Sequence, residues 1–174
     1  LALLKQQFDK LVLKYLKLQD ININISGWMD FVNKIKNPKG LVNIAVCGKY
    51  TDVQDAYKSI TEAFVHAGAE NVVKVKCHYV KAEDLTAKNV NEQLKNYDGI
   101  LIPGGFGNRG IEGKILAITY ARTNKIPFFG ICLGMQLAAI EFARNVCGIK
   151  LANSSEFVKN KFSIIDLMNE QKKI

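Results

Sequence analysis

Pro127-Phe128-Phe129-Gly130-Ile131-Cys132-Leu133-Gly134-Met135-Gln136 is the stretch whose reading settles the fold. Pro127 to Ile131 is a short apolar run, the pattern of a strand buried on both faces of a parallel sheet. A helix starts just after Cys132, runs to about Cys147 and stops at Gly148. A strand passing straight into a helix with a cysteine at the corner is the thiol form of a nucleophile elbow. Gly130 and Gly134 flank that corner because so tight a turn brings strand and helix backbones together. Cys132 then projects from the sheet edge at a helix N-terminus. Free N–H groups and the positive dipole end there are expected to favour its thiolate, the form competent to attack a carboxamide. A buried structural cysteine between two glycines is the competing reading.

The preceding residues repeat the same alternation. Leu41 to Cys47 is another continuous apolar run, followed by a helix over about Val53 to Ala67 that Gly68 closes. Val72 to Val80 predicts a strand with Val73, Val75, Cys77 and Tyr79 on one face and Lys74, Lys76 and His78 on the other. Thr86 to Lys95 predicts a short helix, Asp98 to Ile102 a strand, and Ile111 to Asn124 a helix. This order predicts an α/β fold, a doubly wound, mainly parallel sheet with helices on both faces and its chemistry at the C-terminal strand ends. Beyond Gly148 the signals weaken to an Asn153-Ser154-Ser155-Glu156 turn and a strand candidate at Ile164 to Met168.

Residues 1–40 read as a helical adaptor. Leu4, Phe8, Leu11, Tyr15 and Leu18 recur at helical spacing, and Gln19 to Ile25 alternates as a short extended stretch. Ser26 is the expected N-cap of a second helix with apolar face Trp28, Phe31, Val32 and Ile35, broken by Pro38 and Gly40. The first residue is Leu1, which suggests a chain cut from something longer.

A second glycine-rich segment, Pro103-Gly104-Gly105-Phe106-Gly107, ends the strand before the elbow. Its backbone is free to approach a substrate closely and to aim N–H groups at a developing oxyanion. The expected donors are the N–H of Leu133 and one from Gly104-Gly105. A phosphate-binding loop is the rival, but the Gly-x4-Gly-Lys-Ser/Thr pattern is absent. A plain flexible loop is the third option.

Composition excludes several classes. Among 174 residues there is no run of about 20 apolar residues to span a membrane. Lys5, Asp9, Lys10 and Lys14 rule out a signal-peptide core in the apolar start. The net charge is +8, yet the arginines are only Arg109, Arg122 and Arg144, and no dense basic cluster interleaves with aromatics. A solvated surface, not a nucleic-acid interface, is the reading. Cys47, Cys77, Cys132 and Cys147 form no Cys-x-x-Cys pair and read as reduced cytosolic thiols, with Cys47, Cys77 and Cys147 in the core. No metal site is expected.

The elbow together with the Pro103–Gly107 loop resembles the triad-type (class I) glutamine amidotransferases. Pro103 through Gly110, Val46 through Tyr50, Asp55 through Ser59 and Asn153 through Phe157 narrow the resemblance to the CTP synthase family, from about Leu41 to the end. The resemblance implies Cys132 as nucleophile and Gly105 as a backbone contact, with Gly104 and Phe106 shaping its loop. It implies Leu133, Gly134, Met135 and Gln136 as the stretch holding glutamine, Glu156 as the partner of its α-amino group, and Arg109 and Gly110 in a loop over the site. It further implies that ammonia released from L-glutamine passes to a synthase domain of the same polypeptide. There ATP with Mg2+ drives amination of UTP, GTP stimulates, and the assembly is a cytoplasmic homotetramer. No cofactor is implied for the amidotransferase domain itself, residues 41–174.

The chain also departs from that family. Its only histidines, His66 and His78, match neither member of the late His-x-Glu pair, and both read as surface residues. The arginine that binds the glutamine carboxylate is missing from the matched region. A C-terminal truncation of the domain is the expected reason. The alternatives are another class I amidotransferase, serving purine or aromatic amino-acid synthesis, a catalytically incomplete glutamine-binding or scaffolding module, and a small stress-response hydrolase of similar fold.

Overall fold

The computed structural model describes residues 2–19, 23–49, 54–158, 160–168 and 170–171. Helices α1 (Ala2–Lys5), α2 (Phe8–Tyr15) and α3 (Ser26–Lys36) come first. Then follow β1 (Gly40–Gly48), a 3-10 turn at Gln54–Tyr57, α4 (Lys58–Glu70), β2 (Val73–Lys81), α5 (Val90–Leu94) and β3 (Gly99–Ile102). Next are α6 (Ile111–Thr123), β4 (Phe128–Gly130) and α7 (Leu133–Asn145). A parallel two-stranded ribbon, β5 (Asn153–Ser154) and β6 (Ser163–Ile165), follows. No described helix is long and apolar enough to cross a membrane.

The strands run in the order β2-β1-β3-β4, all parallel. Side chains alternate between the two faces of a strand. Ala45, Cys47, Ile100 and Ile102 pack against Ile115, Ile118, Leu133, Leu137 and Ile140 of α6 and α7. Val46 and Leu101 point the other way and pack with Tyr57, Ile60 and Phe64 beneath α4. Both faces are covered, as the apolar runs require. Between the two covering helices, the buried Glu141 accepts three hydrogen bonds from Arg122, the shortest 2.8 Å. From β1 the chain steps outward to β2, then back past β1 to β3. The reversal opens a crevice beyond the strand ends, and Lys49, the Pro103–Gly105 loop and Cys132 all lie just past such ends.

Several boundaries differ from expectation for local reasons. The first helix divides at Gln7, which takes φ 55; neither piece buries a residue, so no packing holds one straight rod. Ile25, not Ser26, is the N-cap of α3, and Ser26 is its first residue, whose N–H donates to Asn24 Oδ1 at 2.9 Å. Gly68 lies inside α4, where a Cβ would meet the Val73 carbonyl oxygen at 2.6 Å; Asn71 closes the helix. The Thr86–Lys95 helix shrinks to α5 because Asn89 bonds the Thr86 N–H (2.7 Å) and the Asp84 carbonyl (2.8 Å), a local alternative to helix. Asn153 and Ser154 pair as a strand with Ser163–Ile165, displacing the expected strand at 164–168. The 19–25 stretch falls partly outside the described residues. Cys47 is buried, and burial pushes its thiol up to about 12. Cys77 is half-buried, whereas Cys147 is exposed beyond α7, where Gly148 turns the chain with φ 74.

Candidate active site

Cys132 stands between β4 and α7 with φ 51 and ψ −105. A positive φ is uncommon outside glycine and persists only where surroundings impose it. Here the Ile131 N–H donates to Ile102 O at 3.0 Å, Gly134 N–H to Ile131 O at 2.9 Å, and Gln136 N–H to Cys132 O at 3.1 Å. Glycine is required on both sides. A Cβ on Gly130 would lie 2.5 Å from the Gly134 carbonyl carbon, and one on Gly134 would lie 2.2 Å from Ile102 O. The corner therefore brings α7 directly onto β3 and leaves Cys132 exposed.

The glycine loop after β3 lies over this corner. A Cβ on Gly104 would be 3.6 Å from Cys132 Cβ, and one on Gly105 would be 3.7 Å from Leu133 Cδ2. Among the described residues the Leu133 N–H, at the first position of α7, meets no backbone carbonyl. Positive φ values at Gly107 (75) and Gly110 (73) let the loop curve back toward α6. Phe106 is 79% exposed. Its carbonyl accepts a hydrogen bond from Lys49 Nζ. The Gly107 N–H donates to Glu156 Oε1 at 3.4 Å. Arg109 donates from Nη2 to the Lys49 carbonyl at 3.2 Å and pairs through Nε with Glu83 at 3.0 Å. Nearby Lys114 is buried; burial lowers its pKa, and the charges of Lys49 and Arg109 lower it further, against a smaller upward pull from Glu83.

A cleft of about 740 Å³ opens where α7 meets the ribbon, lined by Gln136, Ser154, Ser155, Glu156, Ser163 and Asp166 among others. Two carboxylates at its wall suit an ammonium group. Gln136 joins the cleft to the elbow, one helical turn beyond Cys132. The structure thus brings Cys132, Leu133, Gly104 and Gly105 together, and Gln136 with Glu156. Gly134 is buried against β3 and presents no side chain, while Met135 and Phe106 are exposed. Lys49, Ser163 and Asp166 also stand at the site, outside the glycine-rich sequence motifs. Lys49 carries a signal, its place just past an apolar run, but Asp166 falls in a stretch with the pattern of a strand. Neither histidine reaches Cys132. His66 is exposed and stacks on Phe31 of α3 at 4.9 Å. His78 is half-buried, not a surface residue, with Nε2 3.1 Å from Asn43 Oδ1 in the first half of β1 and its ring 5.2 Å from Tyr97.

Residues 52–172 match the family model described as glutamine amidotransferase class-I. The chain belongs to the class-I glutamine amidotransferase family. This amidotransferase is similar to the CTP synthase of Desulfitobacterium hafniense (strain Y51), 53% identical over 175 residues that cover all of this chain and 33% of that one. The CTP synthase of Methanocaldococcus jannaschii is 51% identical, again over all of this chain and 34% of that one. Among solved structures it is similar to the glutaminase domain of Trypanosoma brucei CTPS with bound acivicin. The identity there is 44% and the TM-score 0.66, over 74% of this chain and 50% of that chain. The amidotransferase spans about a third of the length of the curated relatives it matches. These likenesses place it with the amidotransferases of CTP synthases, and its doubly wound α/β fold is theirs.

Proposed function

We propose that this amidotransferase releases ammonia from L-glutamine through a thioester on Cys132. The observation that carries the reading is the Gly104–Gly105 backbone lying over an exposed Cys132 at the N-terminus of α7. Cys132 Sγ attacks the side-chain carbonyl carbon of glutamine, and the carbonyl electron pair moves onto oxygen, facing the N–H groups of Leu133 and Gly105. The oxyanion collapses, the C–N bond breaks, and ammonia leaves with a proton delivered to its nitrogen. Water then attacks the thioester, restoring the thiol and releasing glutamate. Glu156 receives the α-ammonium, with Asp166 on the same wall. Phe106, Gly134, Met135 and Gln136 shape the rest of the subsite. The proton transfers call for an imidazole, which in this reading is paired with a carboxylate outside these 174 residues.

In the full chain, residues 1–40 serve as the helical linker to a synthase domain. That domain holds UTP, ATP and Mg2+ and aminates UTP to CTP, with GTP activating and a homotetramer assembled through it. The likeness to full-length CTP synthases supports this. The test is intact mass after incubation with an electrophilic glutamine analogue, comparing this chain, Cys132→Ala and a C-terminally extended chain, with a UTP-dependent CTP assay on the full-length protein. A stoichiometric adduct that requires Cys132 is expected. No adduct on any version would sink the catalytic assignment in favour of a glutamine-binding module.

A further inference from the structure

Building on that glutamine-hydrolysing role, we propose that Lys49 is a positioning residue of the acyl-transfer site, holding the Phe106–Gly107 peptide so that the glycine loop stays over Cys132. Lys49 follows β1 at the reversal point of the sheet, and its ammonium donates to the Phe106 carbonyl. The N–H of that same peptide unit belongs to Gly107 and donates to Glu156 Oε1 at 3.4 Å. In a trans peptide the C=O and N–H point in opposite directions. This one unit is therefore gripped by a cation on its carbonyl side and a carboxylate on its N–H side, in the sense its dipole favours. Charge-assisted hydrogen bonds are about twice as strong as neutral ones.

Among the described residues, little else decides the plane of this peptide. Phe106 is 79% exposed, and a Cβ on Gly107 would find nothing within 4 Å. The Lys49 stem also lies along the loop, since a Cβ on Gly105 would be 3.8 Å from Lys49 Cε. Arg109 returns the contact, donating to the Lys49 carbonyl at 3.2 Å. The end of β1 thus holds the loop on both sides of Gly107. The direction of the Gly105 N–H and the place of Glu156 both follow from that hold. In this role Lys49 acts through Gly105 and Glu156, not on the reacting atoms.

The test compares Lys49→Met, which keeps the stem and removes the donor, with Lys49→Arg, which keeps a donor, both in the full chain. Glutamate release from glutamine is measured alongside alkylation of Cys132 by iodoacetamide, which needs neither the oxyanion loop nor the amino-acid cleft. Lys49→Met is expected to lower kcat for glutamine about 10- to 100-fold while iodoacetamide alkylation stays within about twofold, because a small misplacement of donors is enough for such a loss. Lys49→Arg is expected to recover most of kcat. An unchanged kcat in Lys49→Met would overturn the proposal. Equal slowing of both reactions, or an equally impaired and unstable Arg variant, would overturn it too by making Lys49 merely structural. If wild-type protein releases no glutamate and Cys132 takes up no glutamine analogue, the glutamine reading falls together with this one. Wild-type turnover with an indifferent Lys49→Met removes the positioning role alone.

Discussion

Gly134→Ala is the substitution that most directly tests the elbow. An ideal Cβ there would lie 2.2 Å from Ile102 O, 2.9 Å from Ile102 Cβ and 3.0 Å from Ile102 C. The shortest of these must open by about 1 Å, and overpacking of this kind costs about 1–3 kcal/mol. The upper end applies, because the obstacle is the backbone of β3, a strand flanked on both sides. Moving β3 also strains the bond in which Ile102 O accepts the Ile131 N–H at 3.0 Å, worth about 1 kcal/mol. Alanine in place of glycine inside a helix returns about 1 kcal/mol. The net expectation is a loss of about 3 kcal/mol. Denaturant unfolding of the full chain measures it, with Gly104→Ala as control, since a Cβ there makes an ordinary 3.6 Å contact with Cys132 Cβ. A Gly134→Ala variant as stable as Gly104→Ala would refute the claim that glycine is needed for α7 to sit on β3.

Glu156→Gln is expected to raise KM for glutamine about tenfold or more with a smaller change in kcat, because a bond to a charged partner is worth about 1.5–3 kcal/mol; steady-state glutamate release checks it. Burial pushes the Glu141 carboxyl up, but hydrogen bonds from Arg122 and Asn145 and the charge of Arg122 outweigh it and hold it below the usual carboxylate range. An acid with a depressed folded value contributes stability that is present above its unfolded value and lost as pH falls through the folded one. Arg122→Ala is therefore expected to cost about 2–3 kcal/mol at neutral pH, less than for a fully buried pair because Arg122 is partly exposed, and the gap to the parent should narrow in acid unfolding curves. Lys114 has its folded value lowered by burial and then by the charges of Lys49 and Arg109. In the alkaline window between that lowered value and the ordinary lysine range, the unfolded chain binds more protons, so stability rises with pH. Lys114→Met is expected to abolish that rise and to match or exceed the parent's stability at neutral pH, read from unfolding midpoints across the alkaline range.

The elements legible from residues alone were those with a short-range cause. Buried parallel strands announce themselves as apolar runs, and β1, β3 and β4 fall within a residue or two of where those runs lie. Gly130 and Gly134 mark the elbow because the clash they avoid is with residues one turn away or on the adjoining strand. Cys132 at the strand-to-helix corner, the glycine loop after β3 and the doubly wound alternation were all within reach for that reason. Boundaries set by asparagine side chains at Asn24, Asn71 and Asn89 were not, since a short polar side chain competes with the backbone only once its neighbours are placed. The two- and three-residue strands β5 and β6 are too short to show a period. Strand order lay further out of reach, and the partnerships that matter most at the site depend on it. Lys49 and Phe106 are 57 positions apart, and Gly107 and Glu156 are 49 apart. Local preference says which residues turn, pair or cap. Only the reversal of the sheet between β1 and β3, and the ribbon folded against α7, put a lysine and a glutamate on opposite sides of one peptide beside Cys132.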